Sequence, residues 1–102
     1  MEYGLYNISD ENVHTLVAQD SGAGRLMSIN ISNAHASIGA KVRLFLSDGT
    51  NDTSIIENVV IPAGVTLFLY DGLSFNTSVL ALKIQIEDAD GGSTVDTNII
   101  LK

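Results

Sequence analysis

The sequence predicts an all-β fold, an antiparallel β-sandwich of about seven to nine strands that is either immunoglobulin-like or a jelly roll. Short runs of β-branched and aromatic residues recur about every ten residues, separated by clusters of Gly, Asn, Asp and Ser. Within these runs apolar and polar residues alternate, as in half-buried strands. A 3.6-residue period over three turns is absent, so the only helical prediction is one turn near Thr77 to Leu82.

Composition sets the limits on size and partners. The 102 residues, 45% hydrophobic and 17% charged, suit one packed domain. Twelve acidic against five basic residues give a net charge of −7, which disfavours nucleic acid and anionic lipid as partners. Apolar runs are far shorter than the roughly 20 residues of a membrane-spanning helix, and no secretory signal is visible. Cysteine is absent, which excludes disulfides and thiolate chemistry.

The N-terminal part divides into two regions. Residues 1–24 are predicted as short strands, Tyr3 to Ser9 and Val13 to Ala18, or as an arm, and residues 25–102 as the β-sandwich domain. From Arg25 to Asn33 the residues alternate strictly, which predicts one half-buried strand. Its apolar face is expected to carry Met27, Ile29 and Ile31.

A hairpin follows. Lys41 to Leu46 alternates with its cations and Phe45 on the outer face, and Thr53 to Ile61 is the next strand, with a bulge at Glu57-Asn58. Between them, Ser47 to Asp52 contains Asp-Gly, the strongest short hairpin signal in the chain. Val42, Leu44 and Leu46 are predicted to face the core.

The stretch from Val59 to Tyr70 joins two apolar strands through Pro62-Ala63-Gly64. Proline fixes φ and glycine tolerates a positive φ, so the chain is expected to reverse there. The second strand carries large apolar groups on both faces, which predicts a central strand or an interface.

The last third of the sequence is also predicted to consist of strands and tight turns. Leu73 to Phe75 is a short strand, Val79 to Glu87 has an apolar inner face, and Asp88 to Gly92 is predicted as a second hairpin loop. The inner face of the final strand is expected to contain Val95, Thr97, Ile99 and Leu101.

Candidate catalytic residues are few. His14 and His35 are the only side chains that titrate near neutral pH, and neither lies in a recognisable nucleophile setting. The sequence therefore predicts a protein that is not an enzyme, with no catalytic residues and no cofactor.

Two acidic loops are considered as candidate calcium-binding sites. Asp88-x-Asp90-Gly91 resembles the start of an EF-hand loop, but Ile99 stands where the bidentate Glu is required. A looser calcium site remains open, built from Asp88, Asp90 and Asp96 or from Asp48 and Asp52. Solvated loop tips are preferred, so no metal ligand is assigned.

Phe68, Tyr70 and Phe75 cluster in the sequence. Such aromatic rings can stack on a sugar, fill a core or form a subunit contact. The core or an interface is preferred, and a carbohydrate-binding, adhesin-like module is retained as an alternative.

Several segments together resemble small β-sandwich virion proteins of tailed bacteriophages, namely capsid decoration (cement) proteins and neck or tail proteins. The resemblance covers about residues 25 to 102. The segments are Ser-Ile-Asn-Ile-Ser-Asn (28 to 33), Lys-Val-Arg-Leu-Phe-Leu-Ser-Asp-Gly (41 to 49), Ile-Pro-Ala-Gly (61 to 64) and Leu-Lys-Ile-Gln-Ile (82 to 86).

The resemblance implies a non-enzymatic structural protein, first of all a decoration protein that stabilises the head shell. Its partners would be the major capsid protein or other virion proteins, with a homo-oligomer, often a trimer, as the working unit. It would be made in the cytoplasm of the bacterial host and reside in the virion. The neck or tail is the alternative location.

Overall fold

The computed structural model describes residues 4–22, 25–69, 72–92 and 94–102, which form ten β-strands and no helix. No helix in this part of the chain is long and apolar enough to cross a membrane. The strands are β1 (Gly4–Ile8), β2 (Val13–Val17), β3 (Arg25–Leu26), β4 (Ile29–Asn33), β5 (Ala40–Ser47), β6 (Asp52–Ile61), β7 (Thr66–Leu69), β8 (Leu73–Ser74), β9 (Ala81–Asp88) and β10 (Thr97–Leu101).

Eight strands form two four-stranded antiparallel sheets. Sheet I has the order β1-β10-β4-β7 and sheet II the order β2-β9-β5-β6, while β3 and β8 form a separate two-stranded ribbon. Along the chain these eight strands alternate between the sheets, except that β5 and β6 are neighbours within sheet II. This order is a jelly roll, so the predicted β-sandwich is confirmed and the immunoglobulin-like alternative is not the one adopted.

The core lies between the two sheets and follows the predicted alternation. Val42 and Leu44 of β5 are completely buried, as are Ile84 and Ile86 of β9. From sheet I, Ile31 is equally inaccessible. The predicted inner face of the last strand is also confirmed. Its buried members are Val95, Thr97, Ile99 and Leu101.

The β5–β6 hairpin is present where the Asp-Gly signal predicts it. Asp48 Oδ1 accepts the N–H groups of Thr50 (2.8 Å) and Asn51 (2.6 Å), while Gly49 takes a φ of 94° that suits glycine. The register of β6 shifts opposite Val42 and Leu44, and Asn58 has a φ of 55°. The predicted bulge is therefore present.

The second predicted hairpin, at Asp88 to Gly92, is wrong, because the strands on either side of it lie in different sheets. Residues 62–65 and 89–96 each connect a strand of sheet II to a strand of sheet I, and Gly64 has the positive φ expected of it, 75°. Turn residues report a reversal of direction, but they do not specify whether the next strand pairs with the previous one or crosses to the other sheet. Asn33 anchors the first of these arches, because its Nδ2 donates to Ile61 O and its backbone carbonyl accepts Gly64 N–H.

The prediction for Met27 needs correction, whereas the outward position of Phe45 is confirmed. Met27 is 73% exposed, because the strand predicted from Arg25 to Asn33 is interrupted at residues 27 and 28, where Met27 N–H donates to Lys102 O. Phe45 lies on the outer face as predicted, yet is only 3% exposed, since the Arg43 guanidinium lies 4.1 Å from its ring centroid.

The first strands are integrated into the sandwich. β1 pairs along its whole length with β10, and β2 pairs with β9. Residues 4–17 are thus parts of the two sheets rather than an arm that extends away from them.

Candidate functional site

One candidate site lies at the side of the sandwich where β6 and β7 are the edge strands of sheets II and I. The arch at residues 62–65 joins these two strands directly, so both edges lie on the same side. A cavity of about 360 Å³ opens between them. Its lining is almost entirely apolar and consists of Leu26, Ser28, Ile29, Ile55, Phe68, Leu69, Gly72 and Leu73.

Several large apolar side chains are exposed along these two edge strands, and two of them, Ile55 and Phe68, line the cavity. Val60 is 51% exposed and Phe68 is 47% exposed. The central position predicted as one alternative for the strand after Pro62 is wrong, because β7 is an edge strand. We call this region the open edge. It comprises Ile55, Val59 and Val60 of β6, Val65 of the arch and Phe68 of β7.

The backbone of β6 is poorly suited to extend a partner's sheet. The bulge at Asn58 interrupts its ladder, and the acidic Asp52 and Glu57 lie along it. Ser54 Oγ also donates to Glu57 Oε2. Bulges and charges of this kind protect edge strands from pairing with another chain. β6 therefore exposes apolar side chains rather than an uninterrupted strand edge.

A second candidate site is the outer face of sheet I, where outward side chains form two rows across all four strands. The first is a polar row, Asn7, Asn98, Ser32 and Thr66. The second is a mixed row, Leu5, Ile100, Asn30 and Phe68.

Hydrogen bonds hold the polar row in place. Asn7 Nδ2 donates to Asn98 Oδ1 (2.7 Å) and to Asp96 Oδ1 (3.1 Å), and Ser32 Oγ lies 2.8 Å from Thr66 Oγ1. Sequence reasoning did not find this row, because residues 91 positions apart become neighbours only through strand order.

The two rows border a shallow depression of about 520 Å³ on the β1–β10 side of this face. Its outward lining residues are Leu5, Asn7, Asn98 and Ile100. The depression thus combines two apolar side chains with two amides.

The two histidines lie apart and have structural contacts. His35 Nδ1 accepts the N–H groups of Ser37 (3.1 Å) and Ile38 (3.0 Å), which orders the loop after β4. His14 Nε2 lies 2.7 Å from Asp10 Oδ1, and this contact lowers the pKa of Asp10 below its ordinary value. Neither arrangement includes a nucleophilic side chain.

The acidic loops use their carboxylates on their own backbones. Asp88, only 5% exposed, accepts Thr94 N–H at Oδ2 (3.0 Å) and Asp90 N–H at Oδ1 (2.7 Å). These N–H donors, Thr94 first, hold the pKa of Asp88 below its ordinary value, as those of Asn51 and then Thr50 do for Asp48.

No group of three His, Asp or Glu side chains that could hold a metal ion occurs in residues 4–22, 25–69, 72–92 and 94–102. For the second calcium alternative, Asp52 Oδ2 lies 3.6 Å from Arg43 Nη2. The carboxylate of Asp52 is therefore directed at a cation within the protein.

The aromatic residues that cluster in the sequence lie in different environments. Phe75 packs against the core, whereas Phe68 is exposed on β7, where it borders both the open edge and the mixed row. Tyr70 lies outside the described residues. Of the three aromatic side chains, that of Phe68 is thus partly exposed at this edge.

Comparisons with known proteins agree on the fold. No family model and no curated protein matches the sequence. The structure aligns with Yersinia pseudotuberculosis-derived mitogen (TM-score 0.57, 13% identity, 99% of this chain and 85% of that chain). It aligns with PirA at a TM-score of 0.59 and 11% identity, over 98% of this chain and 93% of that chain. At such low identity these similarities show a shared β-sandwich fold and nothing about activity.

A viral protein is also among the aligned structures. The structure of infectious bursal disease virus Gx strain aligns with 99% of this chain and 33% of that chain, at 12% identity and a TM-score of 0.39. A similarity at this level carries no argument about origin or role.

Proposed function

We propose that this protein is a non-enzymatic structural protein of a tailed-phage virion, first of all a decoration protein that stabilises the head shell. The proposal rests on the open edge, where five large apolar side chains are exposed and two of them, Ile55 and Phe68, line a mostly apolar cavity. Contiguous exposed apolar surface on a small domain is typical of a protein interface. The virion as the location comes from the resemblance of residues 25 to 102 to phage structural proteins.

The polar side chains of the described residues are consistent with this role. His35, Asp48 and Asp88 bind backbone N–H groups within their own loops, which stabilises those loops. The open edge would then bind the major capsid protein or a neighbouring copy. On a lattice, a homo-oligomer such as a trimer would multiply a modest affinity per subunit.

The location is tested by immunogold electron microscopy on intact virions of the phage that encodes this chain, with antibodies raised against the recombinant protein. Label distributed over the head is the expected result. Label confined to the neck or tail would keep a structural role but contradict decoration of the head. Unlabelled virions, with the protein detected only in infected cells, would overturn the proposal.

The contact surface is tested with a matched pair of variants. Val60→Ser at the open edge should weaken binding of the recombinant protein to particles that lack it by about tenfold, because a valine buried in an interface contributes about 1.5 kcal/mol or more. Val13→Ser is the control, since Val13 is similarly exposed (48% against 51%) but lies in β2, at the opposite edge of sheet II. Equal binding by the two variants would contradict the open edge as the contact.

A further inference from the structure

The polar row on the outer face of sheet I presents fixed hydrogen-bonding groups to solvent. Asn7 and Asn98 orient each other through the 2.7 Å bond between Asn7 Nδ2 and Asn98 Oδ1. Asn7 Nδ2 also donates to Asp96 Oδ1 (3.1 Å), which uses both of its donors, so the groups that remain for a ligand are Asn7 Oδ1 and the Nδ2 donors of Asn98. Ser32 and Thr66 extend the row with two hydroxyls that can donate or accept. The row therefore matches a ligand whose groups both donate and accept, as sugar hydroxyls do.

The charge of this face restricts the ligand further. The protein carries a net charge of −7, yet both rows consist only of neutral side chains. An anionic ligand would meet no cation in these rows, and the nearest charged contact is the Asp96 carboxylate, 3.1 Å from Asn7 Nδ2. A neutral ligand requires no compensating charge, so the electrostatics favour an uncharged molecule.

Size argues against a protein as the occupant. Four strands about 4.8 Å apart and two rows about 7 Å apart cover on the order of 250 Å², whereas stable protein interfaces bury about 800 Å² on each partner. The two most exposed apolar side chains, Leu5 and Phe68, also lie at opposite ends of the mixed row rather than at its centre. Protein interfaces have the reverse arrangement, with an apolar centre and a polar rim.

The depression supplies the remaining elements of a small-ligand site. Leu5 and Ile100 provide apolar surface beside the amides of Asn7 and Asn98. A sugar ring has apolar C–H faces and hydroxyls around its edge, so it could place a face on Leu5 and Ile100 while its hydroxyls reach the amides.

We infer that the outer face of sheet I binds a neutral oligosaccharide, with the depression between Leu5, Asn7, Asn98 and Ile100 as its principal subsite. The polar row would continue the site toward Ser32 and Thr66. This inference does not depend on the virion role, since it uses the face of one sheet and the proposed particle contact uses the open edge.

The test is an NMR titration of the full-length ¹⁵N-labelled protein with cellotriose, maltotriose and xylotriose, preceded by a neutral-glycan array. Sugar concentrations up to about 10 mM detect dissociation constants in the millimolar range. The expected result is a saturable shift of the Asn7 and Asn98 side-chain amide signals and of backbone signals in β1 and β10. Shifts centred on the open-edge cavity, or no array signal together with no shifts, would overturn the inference.

Two variants check the position. Asn98→Asp keeps the shape of the side chain but places a carboxylate beside the depression, and should weaken binding of the responding sugar at least tenfold. Thr15→Asp, which adds the same charge to the exposed outer face of sheet II, should leave binding unchanged. Thermal unfolding establishes that each variant folds. If Asn98→Asp does not fold, Asn30→Asp in the mixed row takes its place. Equal affinities in the variant and the Thr15→Asp control would contradict the assignment.

Discussion

The outer faces of the two sheets carry chemically different side chains. On sheet II, Arg43 lies between Asp52 (3.6 Å) and Glu57 (3.5 Å) and covers Phe45, and Lys41 lies 3.5 Å from Glu87. On sheet I the outward rows contain amides, hydroxyls and apolar groups. Both faces cover equally well buried cores, so the difference between them is not a requirement of the fold.

The comparison separates stability from recognition. On sheet II, Arg43 and Lys41 have acidic partners within the protein, so this face is suited to contact with water and contributes modestly to folding. We expect the neutral groups of sheet I to contribute less to folding, in keeping with the ligand site proposed for this face. The following predictions test this contrast, starting with the largest effect expected.

The first prediction concerns Asp88, at the end of β9 in sheet II. Asp88→Asn should lower the melting temperature at pH 7 by several degrees, because an amide nitrogen would face the N–H of Thr94 or Asp90. The folded pKa of Asp88 is lowered, so the ionised carboxylate stabilises the fold above its ordinary pKa of 3.8, and this stabilisation is lost as the pH falls through the folded pKa.

Thermal unfolding between pH 7 and pH 2 checks this prediction. The gap in melting temperature between the wild type and Asp88→Asn should close below about pH 3.8. The exposed Asp90 provides a control, since Asp90→Asn should change little. A gap that persists unchanged at pH 2 would show that the charge of Asp88 is irrelevant.

The second prediction compares two cations on the same strand and face. Arg43→Ala should lower the free energy of unfolding by about 1–2 kcal/mol, because it uncovers Phe45 and leaves two carboxylates without their cation. Lys41→Ala removes one exposed ion pair and should cost about 0.5 kcal/mol or less. Urea unfolding at low and high salt measures both values, and equal losses would contradict a special role for Arg43.

The third prediction concerns the inner side of sheet I. Thr97 is completely buried, and its Oγ1 has no hydrogen-bond partner within the part of the chain that the structure describes. Thr97→Val should therefore raise the free energy of unfolding by about 1 kcal/mol, since it keeps the shape and removes the unpaired hydroxyl. Thr97→Ala, which also removes a methyl group, should not stabilise. If Thr97→Val lowers the free energy of unfolding instead, the Thr97 hydroxyl has a hydrogen-bond partner in solution.

The smallest effect is expected on the outer face of sheet I. Ser32→Ala breaks the exposed hydrogen bond to Thr66, and the free energy of unfolding should change by about 0.5 kcal/mol or less, independently of salt. Urea unfolding of this variant beside Arg43→Ala gives the contrast directly. If Ser32→Ala lowers the free energy of unfolding as much as Arg43→Ala does, both outer faces stabilise the fold to the same extent. That result would contradict the contrast between the two sheets.

Much of the fold followed from local patterns. The period-two alternation identified the buried faces around Leu44, Ile84 and Ile99, because each residue's direction in a strand depends only on its position. The Asp-Gly hairpin and the bulge at Asn58 were also predictable, since turn and bulge residues reflect local backbone preferences.

The errors share one physical cause. Asp88 to Gly92 were expected to form a hairpin loop, but the chain leads there from sheet II to sheet I. Met27 continues the alternation of Ile29 and Ile31, yet the strand breaks beside it. In each case, contacts with distant residues override a pattern that is correct locally.

The candidate sites were even less accessible to sequence reasoning. Phe68 was identified as a candidate contact, and the structure exposes it at an edge. Nothing in the sequence linked Asn7 to Asn98. An asparagine in an alternating strand indicates that its side chain faces outward, but it does not indicate which residue lies beside it.

By itself, the sequence determined the strands, the side chains that face the core, the tight turns and the acidic, cysteine-free character of the protein. Strand order, the open edge and the polar row were decided by the tertiary structure alone. The physical reason is range: side-chain alternation and turn geometry act over a few residues, whereas the neighbours of a strand depend on packing between segments up to 91 residues apart. The polar row lies where such distant segments meet.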